Sequence, residues 1–234
     1  MAGPKIKLVC LPYAGGSAAV FAPLKRHLDG GIDLQAMEYP GRGCRHQEPF
    51  YDSIRDAASD IAGRISSFNG PFAILGHSLG GLIGYETCRL LQTGGAKMPE
   101  HLFVSGKQAP HILIKEKQVH EMSDEDFKRE VMELGGTPEE VFQHPELSGY
   151  YLPILRADFR ISELYSHRES APLKGIPLTV LGGDRDMISP LQLAEWKRHT
   201  TGDFRVMMFS GGHFFIHHNF KAMAGVVNQA LAGQ

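Results

Sequence analysis

Three cysteines in 234 residues, Cys10, Cys44 and Cys88, form an odd set with no C-x-x-C pair. Neither a disulfide framework nor a zinc knuckle is expected, and a reducing compartment is the simplest setting. Long apolar runs are also missing. Leu8-Val9-Cys10-Leu11, behind Lys5 and Lys7, is stopped at Pro12, short of the roughly 7–15 residues of a signal-peptide core. No run approaches the roughly 20 residues that span a bilayer, so the expectation is a cytoplasmic protein with no membrane partner. Neither sign of charge is in excess: 24 Lys+Arg against 26 Asp+Glu give a formal net charge of -2. That argues against a nucleic-acid partner, because phosphate binding calls for a clustered surplus of Lys and Arg. With 27 Gly, 14 Pro and 42% apolar residues, the composition is that of a folded globular chain able to bury a core unaided. The length fits one large α/β domain or two small ones. No internal repeat is visible, and the expectation is one domain over 1–234.

What is present is an alternation of two periodicities. Short aliphatic and β-branched runs at Ile6–Leu11, Leu34–Tyr39, Phe72–Gly76, His101–Ser105, Leu178–Gly182 and Phe204–Phe209 predict strands. Between them, Ile54, Ala57, Ala58, Ile61 and Ile65 form the stripe of an amphipathic helix that stops at Asn69-Gly70. Leu79–Leu91, Leu191–His199 and Phe220–Leu231 also read as helices. Strands alternating with helices of this length predict a mostly parallel α/β sheet with helices on both faces. The alternation breaks over 107–174, a segment too long to lack structure of its own. Thr137-Pro138-Glu139-Glu140 reads as a capping box, Ser123-Asp124-Glu125-Asp126 as a second helix start, and Pro145–Tyr165 as a longer helix. The segment is expected to be a helical lid inserted between two strands.

Gly76-His77-Ser78-Leu79-Gly80 matches G-x-S-x-G at the junction of a predicted strand and a predicted helix. In that context the glycines relieve crowding around a strained turn, and the Ser78 hydroxyl stands above the sheet at a helix N-terminus. A serine hydroxyl needs an adjacent base, itself oriented by a carboxylate. The loops after Leu178–Gly182 and Phe204–Phe209 supply Asp184 and Asp186, then His213, both where strand carboxyl ends open on a ligand crevice. Asp186 is preferred over Asp184, which sits where a loop-capping carboxylate is common. His213 and His217 have the i, i+4 spacing of a metal pair, but Phe214 stands where H-E-x-x-H carries its Glu and no third ligand pattern follows. Neither metal nor cofactor is therefore expected. His77, at the x position, should point away from the serine hydroxyl and pack. The oxyanion hole needs two backbone donors: Leu79, which follows the nucleophile, and Ala14 in the loop Pro12-Tyr13-Ala14-Gly15-Gly16.

Read together, Leu11-Pro12-Tyr13-Ala14-Gly15-Gly16-Ser17, Tyr39-Pro40-Gly41-Arg42-Gly43, Gly76-His77-Ser78-Leu79-Gly80-Gly81, Ser105-Gly106-Lys107-Gln108-Ala109-Pro110, Leu152-Pro153-Ile154-Leu155-Arg156-Ala157-Asp158 and Gly211-Gly212-His213-Phe214-Phe215 run nearly the length of the chain. In this order they resemble the type II thioesterases of polyketide and nonribosomal peptide assembly lines, which have the α/β-hydrolase fold. The resemblance implies hydrolysis of acyl or aminoacyl thioesters from the phosphopantetheine arm of acyl or peptidyl carrier proteins, clearing stalled or mis-primed chains. Medium-chain fatty acyl thioesterases share the motifs, and a carboxylesterase with the same triad or a silent ligand-binding hydrolase remain open on the residues alone. Two departures stand out: Lys107-Gln108 replace an expected arginine pair, and the first strand begins so early that the leading antiparallel strands of larger α/β-hydrolases are expected to be reduced or absent. Met122, Phe127, Met132, Phe142, Tyr150, Tyr151 and Ile154 are candidates for an acyl pocket under the lid, or for packing the lid down. Arg42 and Arg45 are candidates for contact with an acidic carrier surface or a phosphate, or for a solvated loop.

Overall fold

The computed structural model describes residues 5–112, 118–137 and 139–232. Six strands, β1 (Ile6–Leu11), β2 (Ile32–Ala36), β3 (Phe72–His77), β4 (Leu102–Ser105), β5 (Leu178–Gly183) and β6 (Phe204–Phe209), form one sheet in the order β2-β1-β3-β4-β5-β6. Every pairing is parallel, as strands joined by crossover helices require. The strands alternate their burial between two cores. Val9, Leu11, Ile74, Val104 and Val180 face one side, where α2 (Ile54–Ser66) and α3 (Leu79–Thr93) pack. Leu8, Cys10, Leu75, Phe103 and Leu181 face the other, under α1 (Ala22–Lys25) and α8 (Ile216–Leu231). The expected two-sided parallel sheet is what forms.

Five strands match expectation or fall within a residue of it, and β2 does not. It begins at Ile32, pairing Ile6 with Ile32, and ends at Ala36. Tyr39 has left the ladder to bury its ring, with its hydroxyl donating to the Pro12 carbonyl at 3.0 Å. At β2, an edge strand, tertiary burial of one aromatic outweighs β-propensity. The Leu191–His199 helix is two pieces: α7 (Pro190–Ala194), opened by a Ser189–Gln192 capping box, and a 3-10 turn at Glu195–His199. The C-terminal helix does run regularly from Phe220, because Asn219 is non-helical and its amide donates to the Ser210 and Phe215 carbonyls.

Between β4 and β5 the chain forms α4 (Asp124–Glu133), α5 (Glu139–Gln143) and α6 (Pro145–Glu163). Ser123 caps α4 by accepting the Asp126 N–H, as its sequence suggests. Pro138 of the Thr137-Pro138-Glu139-Glu140 capping box lies outside the described residues. Val119, Phe127, Val131 and Leu155 make a small core of this segment's own, with Met122, Phe142 and Tyr151 against it. Packing therefore accounts for most of the candidate acyl-pocket residues: Phe127 and Ile154 are fully buried, whereas Tyr150 is exposed and its hydroxyl accepts the Gly43 N–H.

The close approach of α3 to the sheet depends on two missing side chains. A Cβ on Gly80 would collide with the Leu11 carbonyl, and one on Gly76 with the Gly80 carbonyl. Gly80→Ala is expected to destabilise the fold by about 3 kcal/mol or more. Gly63→Ala, in α2 with open space around it, should stabilise it by about 0.5–1 kcal/mol. Urea denaturation of the two variants checks both signs.

Candidate active site

The sheet order reverses between β1 and β3, since the chain moves from β1 out to β2 and returns across β1 to β3. A crevice opens at the carboxyl ends of strands on either side of such a reversal. Ala14 follows β1 there, and Ser78 follows β3. Ser78 has φ 52, ψ -114, and it is the one non-glycine residue at positive φ among the described residues. That strained conformation is held from below, where the Ser78 N–H donates to the Ser105 carbonyl at 2.7 Å, and from above, where α3 starts at Leu79.

Three of the expected residues meet. His213 Nε2 lies 3.0 Å from Ser78 Oγ, and His213 Nδ1 lies 3.0 Å from Asp186 Oδ2. The Asp186 side chain is only 4% exposed, so its carboxylate faces the imidazole rather than water. Asp184 serves the loops instead. It accepts the Gly211 N–H at 2.8 Å, while Arg185 N–H donates to the Gly211 carbonyl at 2.9 Å. These bonds stitch the loop carrying Asp186 to the loop carrying His213. The Ala14 and Leu79 amides differ from these. Leu79 opens a helix, where N–H groups lack intrahelical acceptors, and neither amide donates to another described residue.

The other histidines separate cleanly from this chain. His217 Nε2 sits 3.1 Å from the Tyr13 hydroxyl, so the i, i+4 pair diverges. His77 is buried, and its Nδ1 lies 2.8 Å from Ser105 Oγ. Its ring is 5.3 Å from that of His213, and Gly106 leaves room for both, since a Cβ there would lie 2.7 Å from His77 Cε1. Burial, followed by repulsion from His213 and His217, holds the His77 pKa well below the usual imidazole range. A neutral His77 places no positive charge beside His213.

Arg42 and Arg45 are neither carrier contacts nor solvated. Arg42 is 3% exposed and makes a forked pair with Asp158 of α6, at 2.6 and 2.7 Å. Arg45 is spent on Glu48, Asp60 and the Glu38 carbonyl. Burial opposes the charge on Arg42, and the Asp158 hydrogen bonds and carboxylate more than reverse this, so its pKa is raised. Asp158, absent from the sequence-based candidates, also accepts the Gly15 N–H at 2.8 Å. A signal was there: it occupies the buried stripe of α6 with Ile154, Leu155 and Ile161, where a lone acid needs a partner. At Lys107-Gln108, the Lys107 carbonyl accepts the Trp196 indole N–H at 2.7 Å and Gln108 is buried. A cleft of about 570 Å³ between α2, α3 and the end of α6 includes none of Ser78, Asp186, His213, Ala14 or Leu79 in its lining.

A family model of the thioesterase domain matches residues 6–231. The chain belongs to the thioesterase domain family. Among curated relatives of this thioesterase-family chain, Thioesterase PikA5 of Streptomyces venezuelae is 38% identical over 97% of the chain and 81% of the relative. Among solved structures, ClbQ from the colibactin NRPS/PKS pathway is 35% identical with a TM-score of 0.91, covering 97% of each chain. BorB, described as the type II thioesterase from the borrelidin biosynthetic cluster, is 34% identical with a TM-score of 0.88 over 98% of this chain and 94% of its own. The fold is that of the α/β-hydrolases. No helix among the described residues is long and apolar enough to cross a membrane.

Acid should weaken this protein through its buried neutral histidines. Burial foremost lowers the pKa of His77, takes that of His101 to about 4, with Arg205 adding, and that of His199 to about 3, with His167 adding. Unfolded imidazoles protonate near pH 6.5. Below that the unfolded chain binds more protons than the folded one, and each of these residues should cost about 1.4 kcal/mol per pH unit. Urea midpoints at pH 7 and 5.5 test this, and equal stability at both would contradict it.

Proposed function

We propose that this protein is a type II thioesterase that uses Ser78 to hydrolyse acyl or aminoacyl thioesters from the phosphopantetheine arm of carrier proteins, an editing role in polyketide or nonribosomal peptide assembly. The observation that carries the proposal is the continuous Ser78–His213–Asp186 hydrogen-bond chain at a strained strand-to-helix turn. Ser78 Oγ attacks the thioester carbonyl while His213 Nε2 takes its proton, and Asp186 holds the tautomer and stabilises the imidazolium. The carbonyl oxygen becomes an oxyanion and accepts the Ala14 and Leu79 N–H groups, with the positive end of the α3 dipole behind Leu79. Collapse breaks the C–S bond, and His213 returns its proton to the departing thiolate. Water, deprotonated by the same imidazole, then attacks the acyl-serine and releases the acid. Residues 107–174 serve as the lid over this chemistry within a single domain, and the setting is the cytoplasm.

Ser78→Ala should lose all turnover of a carrier-bound thioester and all labelling by a fluorophosphonate while melting at the wild-type temperature. Asp186→Asn should lower kcat by about 10⁴-fold. An active Ser78→Ala variant would defeat the assignment. Faster hydrolysis of a matched oxygen ester than of the carrier thioester would make the chain a carboxylesterase instead.

A further inference from the structure

Asp158 lies on α6, yet its carboxylate reaches the loop after β1. It accepts the Gly15 N–H at 2.8 Å while Arg42 grips it with two bonds at 2.6 and 2.7 Å. The same Arg42 guanidinium donates to the Gly16 carbonyl at 3.1 Å. Asp158 is 3% exposed and Arg42 is equally buried, so both charges have left water for this one arrangement.

The geometry concerns Ala14 directly. A peptide unit is planar, so two planes flank each residue and their tilts set its φ and ψ. The plane before Ala14 carries the Ala14 N–H and the Tyr13 carbonyl, and that carbonyl is held by the Gly16 N–H at 2.9 Å. The plane after it carries the Gly15 N–H, which Asp158 holds. Gly15 sits at φ 78, beside another glycine, in backbone that costs little to rotate when unpinned. The Leu155 side chain, one turn before Asp158, closes over Gly15 where a Cβ would otherwise stand.

We propose that Asp158, clamped by Arg42, is a positioning residue that fixes the peptide plane beyond Ala14 and thereby aims the Ala14 N–H at the oxyanion. This rests on the reading of Ala14 as an oxyanion donor given above. Asp158 touches no reacting atom. A pair that only fastened α6 to the sheet would support stability and substrate binding. A pair that aims the donor supports an interaction realised in the transition state, and its loss appears in kcat.

The test compares wild type, Asp158→Asn and Arg42→Lys on an acyl thioester of N-acetylcysteamine, and on a trifluoromethyl ketone thioether whose adduct with Ser78 carries an oxyanion. Asp158→Asn should lower kcat about 30-fold, below the 10²–10³ typical of losing a whole donor. KM should stay within about threefold, and ketone affinity should weaken by about the same factor as kcat. Arg42→Lys keeps both charges but loses the fork, and should show the same pattern at about fivefold. If Asp158→Asn does not fold, Arg42→Lys carries the same comparison alone. Unchanged kcat and ketone affinity, or losses confined to KM and melting temperature, would overturn the inference. That failure is distinct from failure of the thioesterase reading, in which wild type itself would neither hydrolyse the thioester nor take a fluorophosphonate.

Discussion

Helix α3 sits against the sheet at a distance only glycine allows. Gly80 lies on the Leu11 carbonyl and Gly76 on the backbone of Gly80, so the first turn of the helix, the end of β3 and the end of β1 form one close-packed corner. Ser78 keeps its unfavourable backbone because that corner leaves it no other. The strain is local, and it is sustained by the burial of β1, β3 and α3 around it, since Leu11, Ile74, Leu82 and Ile83 share one core. Backbone strain at a functional residue persists only where surroundings over-determine it, and this corner is the over-determination.

From that corner the rest of the site follows by reach. Ser78 follows β3, while Asp186 and His213 follow β5 and β6, so β4 and β5 separate the strand before Ser78 from the strand before His213. At about 4.8 Å per strand the imidazole comes back across roughly 14 Å of sheet. The Gly211-Gly212 turn makes that return possible, with Gly211 at φ 138. The Asp184 stitch to Gly211 makes it reproducible, because acid and base loops then move as one piece.

Much of this was legible in the residues. Ser78, Asp186 and His213 each sit just past the carboxyl end of a strand with a strong apolar signal, and strand ends are where pattern reasoning is anchored by turn glycines. What stayed hidden was set by contacts distant in the chain. Asp158 and Arg42 are 116 positions apart, and nothing local to a Gly-rich loop announces that its arginines are buried. Arg45 is similar in part, since beyond its neighbour Glu48 it is held by Asp60 from α2. The early end of β2 has a similar cause, because the pull on Tyr39 comes from Pro12 rather than from its own neighbours. Of the insertion, helix starts were readable through Ser123, but the aromatic residues said only that something would be covered, and they cover one another.

The tie between α6 and the loop after β1 has a bearing on chimaeras. The β4–β5 ladder closes directly, Ser105 opposite Leu181, which makes the intervening segment look like a cassette exchangeable for that of a relative with another acyl preference. It is not a free cassette. Any replacement must arrive with an acid one turn beyond a leucine on its last helix, matched to the resident guanidinium, or the recipient scaffold keeps an orphaned buried cation and a slack glycine hinge.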